Sequence, residues 1–88
     1  MDEAQFRRQL REQGYSEAEV REYEPNTAKD MHAHESSVYA FVSSGEFTLV
    51  TEDGSVSYQP GEVCKVPSGT LHSEQAGAAG ATVLLGKK

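Results

Sequence analysis

Cysteine and long apolar runs are scarce in this sequence. Cys64 is the single cysteine, so no disulfide can form within the chain, and we expect a reducing, cytoplasmic compartment. No apolar run approaches the ~20 residues that a membrane-spanning helix needs. The first residues, Met1-Asp2-Glu3, are acidic and lack the apolar core of a signal peptide. We therefore expect no membrane partner.

Clustered positive charge is also missing. The chain carries 8 Lys and Arg residues against 14 Asp and Glu residues, for a formal net charge of −6. Its only basic neighbours are Arg7-Arg8 and Lys87-Lys88, so we expect no nucleic-acid partner. The length of 88 residues predicts one domain with a thin core, which a bound metal or a second subunit would help to stabilise.

The first 14 residues predict a short N-terminal helix. Asp2 is a residue type that caps helices, Phe6 and Leu10 lie four apart on one side, and Gly14 is a typical stop. We therefore divide the chain into a helix over residues 1–14 and a single domain over residues 15–88.

After Gly14 the pattern changes to short apolar runs separated by turn residues, which is typical of an all-β sandwich or barrel. A turn is predicted at residues 43–45, a tight hairpin turn at Asp53-Gly54, and a flexible loop at residues 76–80. The predicted strands cover residues 20–24, 28–34, 38–42, 46–51, 55–59, 63–66, 71–75 and 81–85. About eight short strands at even spacing suit a double-sheet jelly roll.

The three histidines carry the strongest chemical signal. His32 and His34 stand two apart, so in an extended segment they share one face. His72 follows a Pro-x-Gly turn, and a neighbouring strand could bring it to the same face. Three imidazoles that converge on one point form a site for a first-row transition metal.

These residues resemble the two motifs of the cupin family. His32, His34 and Gly45 stand at the spacing of the first motif. The second motif, Gly-(x5)-Pro-x-Gly-(x2)-His, is matched at every fixed position by Gly61, Pro67, Gly69 and His72. The resemblance covers about residues 25–85 and implies an all-β cupin fold, a double-stranded β-helix or jelly-roll barrel, here with a short N-terminal helix.

The sequence departs from the first motif at the metal ligands. The glutamate that would be the fourth ligand falls on Val38. The resemblance therefore implies a three-histidine site of His32, His34 and His72, similar to that of three-histidine dioxygenases, which hold ferrous iron. Imidazoles bind several transition metals, so the histidines do not determine which metal is bound, and Fe, Ni, Zn, Cu and Mn are all candidates. Without the carboxylate the site would favour an anionic small-molecule ligand.

Three further residues are expected to line the pocket: Val38, Cys64 and Glu74. Glu74 lies two residues after His72 and faces the same way in a regular strand. It is interpreted as a partner beside the metal or a proton acceptor rather than as a ligand. Cys64 is either a small buried apolar residue or a thiol near the metal.

Two function classes remain open. The first is a metal-dependent dioxygenase, lyase or isomerase that acts on a small polar metabolite. The second is a non-catalytic cupin that binds or senses a small ligand or a metal. Such a protein could also be metal-free, because Val38 replaces the glutamate ligand of the first motif. Because residues 38–42 are apolar on both faces, one face is expected to meet an opposing sheet or a second subunit, and we expect a homodimer.

Overall fold

The computed structural model of the protein describes all residues, 1–88. One helix and five strands follow each other along the chain: α1 (Glu3–Glu12), β1 (Glu19–Tyr23), β2 (Val38–Thr51), β3 (Gly54–Tyr58), β4 (Val63–Val66) and β5 (His72–Lys87). The predicted all-β fold with a short N-terminal helix is confirmed. No helix in the chain combines the length and the apolar character needed to cross a membrane.

The two long strands, β2 and β5, form the centre of the sheet. They pair antiparallel in two stretches, residues 38–42 with 83–87 and residues 47–51 with 72–76. On the other side of β2, its first half pairs with β4 and its second half with β3. β1 pairs with the second half of β5. The sheet therefore has two halves, which β2 and β5 join.

Both long strands bend where the halves meet. The pairing shifts register between Val42 and Ser44 and again between Gly45 and Phe47, and such bulges bend a strand. Gly45 and Gly80 both have left-handed backbone angles, φ +77° and +76°. A Cβ atom on Gly45 would overlap the carbonyl oxygen of Gly80. Only glycine allows the two strands to approach this closely.

The bend closes the two halves over one apolar interior. Tyr23 of the first half packs against Phe47 of the second, with ring centroids 5.5 Å apart. The buried cluster between the halves consists of Tyr23, Ala40, Val42, Phe47, Cys64, Ala76, Ala81, Val83 and Leu85. The candidate site lies at this interior.

Several predicted boundaries are wrong. Residues 76–80 belong to β5 rather than to a flexible loop. Ala76 pairs with Phe47 of β2, and Gly80 is buried against Gly45. The predicted turn at residues 43–45 is a bulge within β2. The predicted strand over residues 28–34 has only isolated bridges to β5, Ala28 to Gln75 and His32 to His72. The structure therefore has five strands instead of eight. Two pairs of predicted strands are joined in β2 and β5, and residues 28–34 form no strand.

The helix covers the outer face of the first half-sheet. Asp2 caps it, accepting a hydrogen bond from the backbone N–H of Gln5. Phe6 and Leu10 are 0% and 1% exposed and pack into a second cluster with Tyr39, Phe41 and Leu84. This is the apolar face on which the expectation of a homodimer rested, and α1 covers it within the same chain.

Candidate metal centre

Three imidazoles converge at the second half of the sheet. His32 lies opposite His72 in an antiparallel bridge with two reciprocal backbone hydrogen bonds of 2.7 and 2.8 Å. His34 follows two residues later. The ring centroids lie 4.8 Å apart for His32 and His34, 4.6 Å for His32 and His72, and 5.2 Å for His34 and His72. The structure thus brings together all three histidines that the sequence singles out.

Glu74 joins this group. One donor atom from each histidine and one carboxylate oxygen of Glu74 all lie within 4.8 Å of one another. Oε2 of Glu74 is 3.2 Å from Nε2 of His32, and Oε1 is 3.6 Å from Nε2 of His72. A carboxylate of β5, two residues after His72, thus lies among the histidines, although Val38 stands at the position of the first-motif glutamate.

Backbone carbonyls orient two of the rings. Nδ1 of His32 lies 2.8 Å from the carbonyl oxygen of Asp30, and Nδ1 of His72 lies 2.8 Å from that of Thr70. Each Nδ1–H donates to its carbonyl, which leaves the lone pair of Nε2 directed at the cluster. This partner for the second ring nitrogen is the usual arrangement in metal-binding histidines.

When the imidazoles are neutral, Nε2 of His32 and Nε2 of His72 are therefore acceptors. Oε2 of Glu74, which faces Nε2 of His32, is buried and has no hydrogen-bond partner. A buried carboxylate oxygen without a partner is unfavourable. A cation between the four atoms would satisfy all of them, and three imidazoles with one carboxylate are a donor set that fits a divalent first-row transition metal.

The electrostatics at His34 favour the form that binds metal. Loss of solvation lowers the pKa of His34, and the neighbouring His32 and His72 lower it further. Glu74 acts in the opposite direction, and Lys87 in the same direction as the histidines. A lower pKa keeps the imidazole neutral, which is the state that ligates metals.

A cavity of about 50 Å³ opens beside the cluster. His34, His72 and Glu74 line it, and so do Val38 and Cys64. Burial raises the pKa of the Cys64 thiol to about 11, so this side chain is a neutral thiol in the apolar wall. It lies outside the group of clustered donor atoms. A cavity needs roughly 10–15 Å³ of such volume for each water molecule, so this one has room for a few waters or a small ligand.

Sequence reasoning named five of the 14 residues that line this cavity, and the residues with polar side chains that it missed are Arg21, Tyr23 and Lys87. The alternation of side chains along the strands could have indicated them. Arg21 and Tyr23 lie two apart on β1, and Lys87 follows Val83 and Leu85 on the inward face of β5. The position of β1 beside the second half of β5, which puts them at the cavity, cannot be read from the spacing.

The fold and site together define a β-barrel with a cluster of transition-metal donors at its interior, and the sequence matches a family of this kind. The family model of the Cupin domain matches residues 19–85. The chain belongs to the cupin family. No curated protein sequence matches it significantly.

Solved structures with a similar fold include a protein of unknown function from Rhizobium leguminosarum, with a TM-score of 0.76 and 18% identity over 81% of this chain and 67% of that chain. KdgF from Halomonas sp. has a TM-score of 0.68 and 20% identity over 81% of this chain and 66% of that one. At these identities the likeness concerns the fold alone.

A variant of oxalate decarboxylase from Bacillus subtilis has a TM-score of 0.69 and 28% identity, over 81% of this chain and 20% of that one. The chain thus spans about two thirds of the first two structures but a fifth of the decarboxylase.

Proposed function

We propose that this protein binds one divalent transition metal through His32, His34, His72 and Glu74 and acts on a small polar metabolite in the adjoining cavity. The observation that carries the proposal is the convergence of four possible ligand atoms, together with a buried carboxylate oxygen of Glu74 that has no hydrogen-bond partner. A proton could join only one pair of these groups, whereas a metal ion can bind all four.

The residues at this site would have different roles. The carbonyls of Asp30 and Thr70 hold the two imidazoles in the ligating tautomer. Glu74 supplies one negative charge, and 9 of the 14 residues that line the cavity are hydrophobic. A bound metal would polarise an oxygen atom of the substrate as a Lewis acid.

The reaction class that we propose is that of a metal-dependent lyase, isomerase or dioxygenase. One solved structure with a similar fold concerns Mn(II) centres of the Bacillus subtilis oxalate decarboxylase, at 28% identity over a fifth of that chain. This supports manganese among the candidates, beside Fe, Ni, Zn and Cu. The metal-free alternative depended on Val38, and the carboxylate of Glu74 supports the metal-binding proposal over it.

A non-catalytic cupin that binds or senses a small ligand is the second candidate function. It uses the same cavity and the same donor group. The cytoplasmic location and the homodimer both stay predictions. A homodimer would need a surface other than the one that α1 covers.

Metal titration tests the proposal with variants matched in position and exposure. Metal-free protein is titrated calorimetrically with Mn²⁺, Fe²⁺, Ni²⁺, Cu²⁺ and Zn²⁺, and metal content after dialysis is read by elemental mass spectrometry. His34→Ala removes an exposed donor and is expected to weaken binding without loss of the fold. Glu35→Ala changes the adjacent exposed residue, outside the cluster, and serves as the control.

One equivalent of metal in the wild-type protein and the control, with affinity reduced at least about tenfold in His34→Ala, would support the metal site. Equal metal binding by His34→Ala and the wild-type protein, or no binding of any of the five metals, would overturn it. Turnover of small metabolites by the loaded protein then separates the enzyme from the non-catalytic binder.

A further inference from the structure

Two cations lie on the wall of the cavity that contains His34, His72 and Glu74. Arg21 projects from β1 and Lys87 from the end of β5, and both line the cavity. The strand register agrees with this inward direction, because Arg21 lies opposite Val83 and Lys87 lies opposite Val38. Val38 and Val83 are themselves cavity-lining residues.

The charges of these cations are weakly engaged within the protein. Both approach the same carboxylate, Glu19, with Arg21 at 3.6 Å and Lys87 at 3.8 Å. The three side chains are 38–50% exposed, and ion pairs of such exposure contribute little to stability. A single solvated carboxylate is thus shared by two cations, and an anion in the cavity could take its place.

The residues that line the cavity do not share the negative net charge of the whole chain. The net charge of the protein is −6, yet the charged residues among the 14 that line the cavity are Arg21, Lys87 and Glu74. Glu74 is directed at the histidines, and 9 of the lining residues are hydrophobic. A bound divalent metal would add further positive charge, so the cavity favours anions of more than one charge.

We propose that Arg21 and Lys87 form an anion subsite facing the metal donors, and that the ligand of this protein is a small organic dianion such as a dicarboxylate. The inference rests on the proposed function, because one carboxylate would bind at the metal and the other at the two cations. Guanidinium and carboxylate groups pair in a bidentate manner, which gives Arg21 the larger role in orientation.

Calorimetry on zinc-loaded protein tests the subsite. The probes are malonate, succinate and glutarate, each compared at constant ionic strength with its monomethyl ester, which retains one carboxylate for the metal and lacks the second. The double variant Arg21→Met/Lys87→Met is compared with Arg8→Met/Lys65→Met. The control loses the same two charges at exposed positions outside the cavity.

We expect at least one diacid to bind about tenfold tighter than its ester to the wild-type protein and the control. This preference should be lost in Arg21→Met/Lys87→Met, because the second carboxylate of the diacid then meets no cation in the cavity. No preference at any chain length, or a preference that persists in the double variant, would overturn the subsite.

A zinc titration of all three proteins separates this result from the metal proposal. Equal zinc affinities without any diacid preference would overturn the subsite and leave the metal site standing. Absence of binding of zinc and of the other four metals in the wild-type protein would overturn both.

Discussion

Nε2 of His32 and Oε2 of Glu74 lie 3.2 Å apart, and both are acceptors when the imidazole is neutral and donates its one proton from Nδ1 to the carbonyl of Asp30. Two facing acceptors repel each other unless a proton or a metal ion lies between them. The metal-free site is therefore strained in a way that binding would relieve, and this makes Glu74 the most informative residue to change.

Glu74→Gln should affect metal affinity and metal-free stability in opposite directions. The amide removes the buried charge and can donate to Nε2 of His32, so we expect the unfolding free energy of the metal-free protein to rise by about 1 kcal/mol. Metal affinity should fall at least about tenfold, because the anionic ligand is lost. Urea denaturation and metal titration measure the two effects.

Glu35→Gln is the control for this experiment, since Glu35 is exposed and lies outside the cluster. It should leave both quantities nearly unchanged. A fall in metal-free stability in Glu74→Gln would contradict the strain argument, whatever the metal affinity.

Phe6→Ala should show that α1 is part of the stable core. Phe6 is 0% exposed and its ring packs on Tyr39 and Phe41 at centroid distances of 5.0 and 5.4 Å. Truncation of a buried phenylalanine lowers the unfolding free energy by roughly 3–5 kcal/mol. Arg8→Ala on the exposed face of the same helix should change it by less than about 0.5 kcal/mol. A loss below about 1 kcal/mol for Phe6→Ala would mean that the helix is dispensable.

Gly45→Ala should be far more destabilising than Gly14→Ala. The two glycines have nearly the same backbone angle, φ +77° and +81°, so the conformational penalty is shared and amounts to about 1 kcal/mol. A Cβ atom on Gly45 overlaps the backbone of Gly80, whereas one on Gly14 meets nothing within 4 Å. Equal losses of unfolding free energy in the two variants, measured by urea denaturation, would show that β2 and β5 can move apart at the bulges to accommodate the added methyl group.

Cys64 should make stability fall at alkaline pH. Burial raises the pKa of its thiol to about 11 from 9.0. Between these values the unfolded chain loses the proton and the folded chain retains it, so the unfolding free energy decreases as pH rises from 9 towards 11. The loss at the upper end is roughly 1–3 kcal/mol, on the scale of 1.4 kcal/mol per pKa unit.

Denaturation of Cys64→Ala over the same pH range supplies the comparison, because its tyrosines still titrate. The wild-type protein should lose more stability than the variant over this range. A native thiol that reacts with a disulfide reagent at pH 8 as fast as the denatured one would contradict the burial of Cys64.

The local patterns predicted much of the fold. The cap at Asp2, the hairpin at Asp53-Gly54 and the limits of β4 follow from residue types that act within a few positions. The bulges did not, since Gly45 and Gly80 in isolation are typical of turns and loops. Their role depends on a contact between two strands that are distant in sequence.

The sequence by itself determined the family, through two motifs, and the three histidines that the structure brings together. Alternation in an extended segment predicts that His32 and His34 share a face, and the second motif supplied His72. Only the tertiary structure decided that Glu74 lies among these histidines, that α1 covers the apolar outer face, and that Arg21 and Lys87 face the cavity. The physical reason is that these relations depend on the pairing of β5 with β1 and β2 and on the bend at Gly45 and Gly80, which long-range packing fixes.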